Sequence, residues 1–338
     1  MEEIIYPASK QKFKVLVRCY TYNQSKYIED TLNGFAMQQT NFPFVCLVMD
    51  DYSTDGEQEV IKAYLDRECD MTRAEFFEDD TTTMTLVPHR TNVNCTFAVY
   101  FLKKNLYGIK GAKMAYVNPW REHCTYEALC EGDDYWIDPL KLQKQVDFLE
   151  SHEEYGICCS KSKIYNQEKH RFEGEKGDAS CESYAQMLLQ YNDLNTASTL
   201  MRKDIWYICI NDLSSFLPES LIFDTAYWYW FACNSKIKYF DEPFSVYRVL
   251  PESACHSKDP QKLISFELRF LQLKLLFMAK YPVEPTEERI RIAEDVYSSI
   301  TELSKYSQFV GETQTQKSKA YRIGKTLLKP LKWIKRHK

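Results

Sequence analysis

Apolar and polar positions in the first part of the chain follow a repeating order of strand and helix. Residues 13–19 form a short apolar run rich in β-forming residues, and apolar residues then recur at helical spacing over 28–35. A second apolar run at 44–49 is again followed by helical spacing, over 60–65. Strands that alternate with helices in this way predict parallel pairing with right-handed crossovers.

Three further elements are predicted ahead of the chain's midpoint. The pattern favours a strand at 84–87, a helix around 96–106 and another strand near 126–130. Residues 69–83 are acidic and have no clear period, so we interpret them as an irregular insertion.

The second half of the chain combines short strands with longer helical patterns. Asp138 and Pro139 predict a helix start, with the aspartate as N-cap and the proline at the first helical position. The remaining expected elements are a strand at 155–160, a helix near 183–190, a strand at 197–201, an aromatic block at 227–231 and helices over 260–310. The fold class that follows is α/β, a mixed sheet flanked by helices with a C-terminal helical extension.

We expect three regions along the chain. Residues 1–256 would form the α/β body, residues 257–316 the helical extension and residues 317–338 a basic amphipathic tail. At 338 residues and 44% hydrophobic content, the chain can build a sizeable core.

The cysteines and the N-terminus bear on the compartment. Twelve cysteines are scattered through apolar runs and none forms a C-x-x-C pair, which argues against zinc and favours a reducing cytoplasm. The N-terminus lacks the pattern of a signal peptide, and no stretch approaches the ~18 uninterrupted apolar residues of a membrane span. We therefore expect a cytoplasmic protein that does not cross a membrane.

Two pairs of acids follow predicted strands. Asp50 and Asp51 come directly after one strand, and Asp133 and Asp134 come after a later one. In an open parallel sheet, ligands bind outside the carboxyl ends of the strands, so both pairs would face one crevice. Adjacent carboxylates repel unless a cation compensates them, and their hard oxygen atoms suit Mn²⁺ or Mg²⁺.

At this point the chain resembles the inverting glycosyltransferases of family 2, which have the Rossmann-like fold called GT-A. The resemblance covers roughly residues 12–256. It is carried by four motifs together, namely Tyr20-Thr21-Tyr22-Asn23, Asp50-Asp51-Tyr52-Ser53-Thr54-Asp55-Gly56, Glu131-Gly132-Asp133-Asp134-Tyr135-Trp136 and Asp138-Pro139-Leu140-Lys141-Leu142. Residues 111–128 are longer than the usual link ahead of the third motif, and no role for them follows from the sequence.

The resemblance implies roles for five residues. Thr21 and Tyr22 would line the nucleoside pocket, and Asp51 would accept a hydrogen bond from the base. Asp133 would face the ribose and the sugar, and Asp134 would bind the metal ion that bridges the diphosphate. For Tyr22, core packing is the alternative reading.

Inverting transfer also needs a general base for the acceptor hydroxyl. The resemblance implies Asp224, although Phe223 stands where relatives commonly carry a small or acidic residue, and a helix N-cap is the structural alternative. Arg248 and His256 would belong to a phosphate or metal shell, against the alternatives of a surface ion pair and an exposed loop.

The resemblance implies transfer of a single sugar, because the Gln-x-x-Arg-Trp pattern of processive relatives is absent from the sequence. The expected donor is a nucleotide-diphosphate sugar, a UDP-sugar in the first instance. The expected acceptor is a saccharide or lipid-linked glycan in cell-surface polysaccharide synthesis. Two alternatives stay open, a sugar nucleotidyltransferase and a non-catalytic module that binds nucleotide sugars or glycans.

The basic tail has its own pattern. Residues 317–338 contain nine Lys or Arg and no acid, so the rest of a chain of net charge -5 carries a formal charge of -14. Such an acidic body disfavours nucleic acid as a partner. In the tail, apolar and basic residues fall on opposite sides of a helical wheel, which predicts attachment to an anionic membrane at its inner face. A helix packed on the protein's own body is the alternative.

Overall fold

A computed structural model describes residues 12–109, 111–189, 194–251, 260–284 and 286–310. The strands are β1 (Val15–Thr21), β2 (Phe44–Asp50), β3 (Glu75–Glu78), β4 (Thr82–Pro88), β5 (Cys95–Leu102), β6 (Tyr126–Leu129), β7 (Tyr135–Trp136), β8 (Tyr155–Asn166), β9 (Arg171–Lys176), β10 (Leu200–Arg202) and β11 (Lys236–Val249). The helices are α1 (Ile28–Ala36), α2 (Glu57–Glu68), α3 (Met114–Glu122), α4 (Lys141–Ser151), α5 (Tyr184–Leu189), α6 (Lys203–Phe216), α7 (Asp224–Asn234), α8 (Pro260–Lys280) and α9 (Thr286–Val310).

All eleven described strands belong to one mixed sheet. The order of hydrogen-bonded neighbours is β3-β4-β5-β2-β1-β6-β10-β8-β11-β7, and β9 pairs with β8. β1 runs parallel to both β2 and β6, and β2 runs parallel to β5. The outer pairs are antiparallel. The predicted mixed sheet flanked by helices is confirmed.

Two apolar layers cover the central strands. Val15, Val17 and Cys19 of β1 pack in one cluster with buried residues of α1, α2 and α4. Leu16 lies in a second cluster, together with Trp120 and other residues of α3. Because successive side chains of a strand point to opposite faces, this alternation places α3 across the sheet from the other three helices.

The chain divides into two compact units. The first lies within residues 1–179, 193–209 and 235–248 and contains the sheet. The second lies within residues 180–192, 210–234 and 249–338. Two of these segments were expected in the α/β body, and they group instead with the helical extension.

The packing of α7 gives the physical reason for this grouping. The ring of Tyr229 lies 5.4 Å from that of Phe277 on α8, and the ring of Phe216 lies at the same distance from Phe277. Asp212 accepts hydrogen bonds from Trp230, Tyr281 and Lys280. The predicted helices over 260–310 are present as α8 and α9, whereas the predicted boundaries at 256 and 316 lie outside the described residues.

Three local predictions need correction. The helix expected at 96–106 is β5, a strand whose eight residues are all buried between β2 and β4. The insertion expected to be irregular contains a 3₁₀ turn, β3 and the start of β4. α4 begins at Lys141, and its N-cap is Leu140, although Asp138 accepts a hydrogen bond from the Leu140 N–H at 2.7 Å.

Among the described residues, no helix has both the length and the apolar character needed to span a bilayer.

Candidate active site

Three strand ends bring the sequence motifs together. Thr21 at the end of β1 lies in register with Asp50 at the end of β2, and β6 runs along the other side of β1. The Asp51 N–H donates to the Thr21 carbonyl at 3.0 Å, and the Gly132 N–H donates to the Tyr20 carbonyl at 3.1 Å. The two acidic pairs therefore lie at one edge of the sheet, as predicted.

Direct hydrogen bonds join the loops after β1 and β2. The Asn23 N–H donates to the Ser53 hydroxyl at 2.9 Å, and the Thr54 N–H donates to the Asn23 side-chain oxygen at 2.8 Å. The Ser25 N–H donates to the Asp55 carboxylate at 3.0 Å. These reciprocal bonds fix the relative positions of the two loops.

The same loops present two tyrosines to solvent. Tyr22 is 48% exposed and Tyr52 is 49% exposed. Tyr52, and Asn23 next to Tyr22, have positive φ values of 66° and 55°, a conformation that non-glycine residues rarely adopt. Such strain is concentrated at functional sites. Exposure of Tyr22 argues against the core-packing alternative and leaves its ring accessible to a ligand.

Glu57 is a buried acid of this region that the sequence analysis missed. Its carboxylate accepts hydrogen bonds from the Thr21 hydroxyl, the Gln24 N–H at 2.8 Å and the Ser53 hydroxyl at 2.8 Å. Burial raises the pKa of Glu57 above its ordinary value, and these hydrogen bonds oppose the rise. Thr21 itself is only 3% exposed, so it contacts Glu57 rather than open solvent. The sequence signal that could have identified Glu57 is its position in the first turn of α2, directly after the motif at residues 50–56.

Gly132 allows the third motif to approach the first closely. A Cβ atom at this position would lie 2.2 Å from the Thr21 hydroxyl oxygen and 2.4 Å from the Gln24 side-chain oxygen. The Thr31 hydroxyl also bonds to the carbonyls of Gly132 at 2.9 Å and Asp134 at 2.6 Å. A larger residue at 132 would displace the acidic pair that follows it.

Asp51 is held on both sides. It is 2% exposed, and its carboxylate accepts from the Leu106 N–H at 2.6 Å and pairs with the Lys113 ammonium at 2.8 Å. Lys113 precedes α3, within the residues 111–128 to which no role could be assigned from sequence. That segment therefore supplies a cation to one edge of the site. The role of Asp51 in base binding stays a prediction.

Asp133 and Asp134 lie in the loop that follows β6, where Asp133 is half-buried and Asp134 is buried. Burial raises the pKa of Asp133, and it raises that of Asp134 well above its ordinary value, with a further contribution from the charge of Asp133. Asp134 is 7% exposed, and its carboxylate accepts the Arg248 backbone N–H at 2.8 Å. The positive charge of Lys176 acts in the opposite direction and lowers the pKa of Asp134. Two crowded carboxylates of this kind favour a bound cation.

The acidic pair fits a divalent ion that is shared with a substrate. Its oxygen donors are of the type that Mn²⁺ and Mg²⁺ prefer. Within the part of the chain that the structure describes, no three His, Cys, Asp or Glu side chains are grouped closely enough to hold a metal ion. An ion at Asp134 would therefore take further ligands from phosphate oxygens and water.

Arg248 lies beside the acidic pair and is almost fully buried. Its Nε donates to the Asp133 carbonyl at 2.8 Å, and its two terminal nitrogens donate to Gln167 at 2.8 Å and Asp30 at 2.7 Å. The guanidinium also lies 5.1 Å from the centre of the Tyr135 ring. The contact with Asp30 is an ion pair to an exposed acid, as in the alternative reading, but Arg248 itself is buried rather than at the surface. The predicted phosphate contact stays a prediction.

The two remaining predicted residues do not belong to the described part of the first unit. Asp224 is the first residue of α7 in the second unit, and its side chain is exposed. His256 lies outside the described residues. The roles of both residues stay predictions.

Comparison with known proteins connects the first two motifs, those that follow β1 and β2, with a family. Residues 19–75 match the profile of glycosyl transferase family 2. Uncharacterized protein Rv1520 of Mycobacterium tuberculosis and uncharacterized protein Mb1547 of Mycobacterium bovis are each 35% identical to this chain over 138 residues. The match covers 41% of this chain and 32% of those proteins. The chain thus spans about a third of the length of the curated relatives it matches.

Solved structures share the fold. Staphylococcus aureus TarS 1–349 in complex with UDP has a TM-score of 0.57 at 18% identity, covering 94% of this chain and 81% of that chain. The same TarS fragment in complex with UDP-GlcNAc has a TM-score of 0.52 at 18% identity, covering 88% and 82%. At this level of identity, the likeness establishes the architecture alone.

Proposed function

We propose that this chain is a glycosyltransferase of family 2 with the GT-A fold, and that it transfers a single sugar with inversion from a nucleotide-diphosphate donor. The observation that carries this proposal is the position of Asp133 and Asp134, directly beside the β1 and β2 loops. The structures of TarS 1–349 with UDP and with UDP-GlcNAc, which share this fold, support a UDP-sugar as the donor. The acceptor we propose is a saccharide or a lipid-linked glycan of a cell-surface polysaccharide.

Four residues of the edge have a part in this proposal. Tyr22 offers an exposed ring to the base, and Asp51, fixed by Leu106 and Lys113, accepts a hydrogen bond from it. Asp133 faces the ribose and sugar, and Asp134 supplies oxygen to Mn²⁺ or Mg²⁺. When bound, that ion would stabilise the negative charge that develops on the leaving diphosphate.

The general base we propose is Asp224. Its exposed carboxylate at the start of α7 can accept a proton from an acceptor hydroxyl, and inversion requires such a base. Asp224→Asn keeps the size and the capping ability of the side chain, so donor binding should persist while turnover falls about 10²-fold or more. Unchanged turnover would move the role to another acid, and Glu219 would be tested next.

The function is tested by the fate of a labelled donor. A panel of nucleotide sugars is first screened for stabilisation of the protein with Mn²⁺ or Mg²⁺, because a ligand that binds the native state raises its melting temperature. The best donor is then incubated with saccharide acceptors. Sugar transfer supports the proposal, release of pyrophosphate supports a nucleotidyltransferase, and binding without turnover supports a non-catalytic module.

For the location of the enzyme, we propose the inner face of an anionic membrane. The support is the sequence of residues 317–338, whose structure lies outside the described residues. A truncation after Thr315 should retain transfer to a soluble acceptor but no longer sediment with anionic vesicles. Binding of the full chain should weaken with salt, because charges are screened over ~8–10 Å near physiological ionic strength. Indifference of the full chain to such vesicles at low salt would contradict the proposal.

A further inference from the structure

Two cations, Arg248 and Lys176, lie close to the acidic pair, and the structure uses them differently. Each of the three guanidinium nitrogens of Arg248 already donates to a protein group. The ammonium of Lys176 makes no ion pair or hydrogen bond with any residue in the described ranges, and lies 4.8 Å from the centre of the Tyr247 ring. Arg248 has thus engaged three of its five guanidinium N–H groups, whereas the three N–H groups of the Lys176 ammonium all remain for a ligand.

The end of β9 is attached to the strand that contacts the acidic pair. Lys176 is in register with Ser162 on β8, and the Ser162 hydroxyl lies 2.8 Å from that of Ser245 on β11. The Tyr239 hydroxyl of β11 donates to the carbonyl of Gly177 at 2.9 Å. β9 therefore ends in a fixed position beside β11.

β11 also contacts the motif at residues 131–136, which carries Asp134. Tyr247, over which the Lys176 ammonium lies, is followed by Arg248, whose backbone N–H binds the Asp134 carboxylate at 2.8 Å. A flexible four-carbon side chain ending in a point charge can reach a phosphate next to that carboxylate. Among the described residues, no acid lies close enough to form an ion pair with the ammonium, although its charge acts on Asp134.

We propose that Lys176 binds the diphosphate of the nucleotide-sugar donor. The inference rests on the proposed function and adds a binding residue to it. A hydrogen-bond donor that points to where negative charge develops in the transition state lowers the reaction barrier more than it strengthens binding of the ground state. Lys176 should therefore contribute to turnover as well as to diphosphate affinity.

The test compares Lys176→Met with Lys163→Met. Lys163 is a matched control because it lies on the same hairpin, with its ammonium 5.9 Å from the Phe172 ring. Calorimetry with UDP and Mn²⁺ should show an affinity at least ~10-fold weaker for Lys176→Met, because a hydrogen bond to a charged group is lost. Uridine, which has no phosphate, should bind both variants like the wild type. Turnover of the donor should fall about 10²-fold in Lys176→Met alone.

A second variant separates charge from packing. Lys176→Arg keeps the cation and should restore part of the diphosphate affinity, which a loss of contact with Tyr247 would not predict. Normal UDP affinity and normal turnover in Lys176→Met would overturn the inference. If the wild type itself binds no nucleoside diphosphate with Mn²⁺ or Mg²⁺, the proposed function fails, and that result is distinct from equal binding by wild type and variant.

Discussion

Two buried acids, Glu127 in β6 and Asp134 shortly after it, have opposite electrostatic surroundings. Glu127, inside the strand, is fully buried and pairs with Arg18 at 2.8 Å and with Arg121 at 2.6 Å and 3.0 Å. Burial alone would raise the pKa of Glu127, but the two guanidinium groups outweigh burial and hold this pKa below its ordinary value. Burial raises the pKa of Asp134, five residues after the strand ends, and among the described residues no guanidinium group pairs with its carboxylate.

The contrast distinguishes a structural acid from one that is open to a ligand. A buried charge is costly unless opposite charges and hydrogen bonds compensate it. Glu127 has that compensation from the protein itself. From the described part of the chain, Asp134 receives one backbone N–H and the more distant charge of Lys176, so much of its compensation would have to come from a bound cation. A perturbed acid at a sheet edge is the pattern expected of a functional site.

The largest expected effect comes from removing the charge of Asp134. Asp134→Asn retains an oxygen that can accept the Arg248 N–H but binds a divalent ion poorly. Transfer should fall by roughly 10³-fold or more, the loss expected when a charge-stabilising group is removed. The folded protein should be as stable as the wild type or more so, because an uncompensated buried charge is gone. Activity assays and thermal unfolding without metal measure both effects.

Two results would contradict this prediction. Wild-type turnover in Asp134→Asn, or turnover that persists in excess chelator, would remove the metal from the mechanism. A large loss of stability would make Asp134 a structural acid like Glu127.

The second effect concerns stability rather than catalysis. Glu127→Gln leaves Arg18 and Arg121 buried without their shared counter-charge, so the free energy of unfolding should fall by about 3–5 kcal/mol. Glu122→Gln is the control, because Glu122 is exposed at the end of α3 and its change should stay within about 0.5 kcal/mol. Chemical denaturation measures both variants. An equally small effect at both positions would show that the ion pairs of Glu127 with Arg18 and Arg121 contribute little to stability.

The smallest effect is a difference in pH dependence. The folded protein holds a proton on Asp134 more tightly than the unfolded chain does, so its stability penalty is present at pH values above the raised pKa. The penalty disappears as the pH falls through that pKa toward the ordinary value of 3.8. The stability advantage of Asp134→Asn over wild type should therefore shrink on acidification. Every tenfold difference in proton affinity between the folded and unfolded states corresponds to about 1.4 kcal/mol of this advantage.

Glu127 should show the reverse pH dependence. Its lowered pKa contributes stability above the ordinary value of 4.5, and that contribution is lost as the pH falls through the folded-state pKa. The difference in stability between wild type and Glu127→Gln should therefore narrow below pH 4.5. Metal-free denaturation curves at several pH values test both acids. Parallel pH profiles for the two variants would contradict the comparison.

The sequence predicted β1, β2 and β6 as strands but failed at β5. Periodicity identified α1, because one face of that helix is buried and the other is exposed. β5 has apolar residues in succession, because neighbouring strands and both faces of the sheet cover it, and such a run has neither the period of a helix nor that of a strand. The helix predicted there was wrong for this reason.

The sequence by itself determined the motifs, their order and the carboxylates they carry, because strand ends and paired acids are local features. Only the tertiary structure decided which charges those carboxylates meet. It brought Lys113 to Asp51 across 62 positions of sequence and Glu57 to Thr21 across 36. It also engaged the Arg248 guanidinium in hydrogen bonds and left the Lys176 ammonium available to a ligand near the acidic pair. Electrostatic compensation depends on distance in space, and spacing along the chain does not encode that distance.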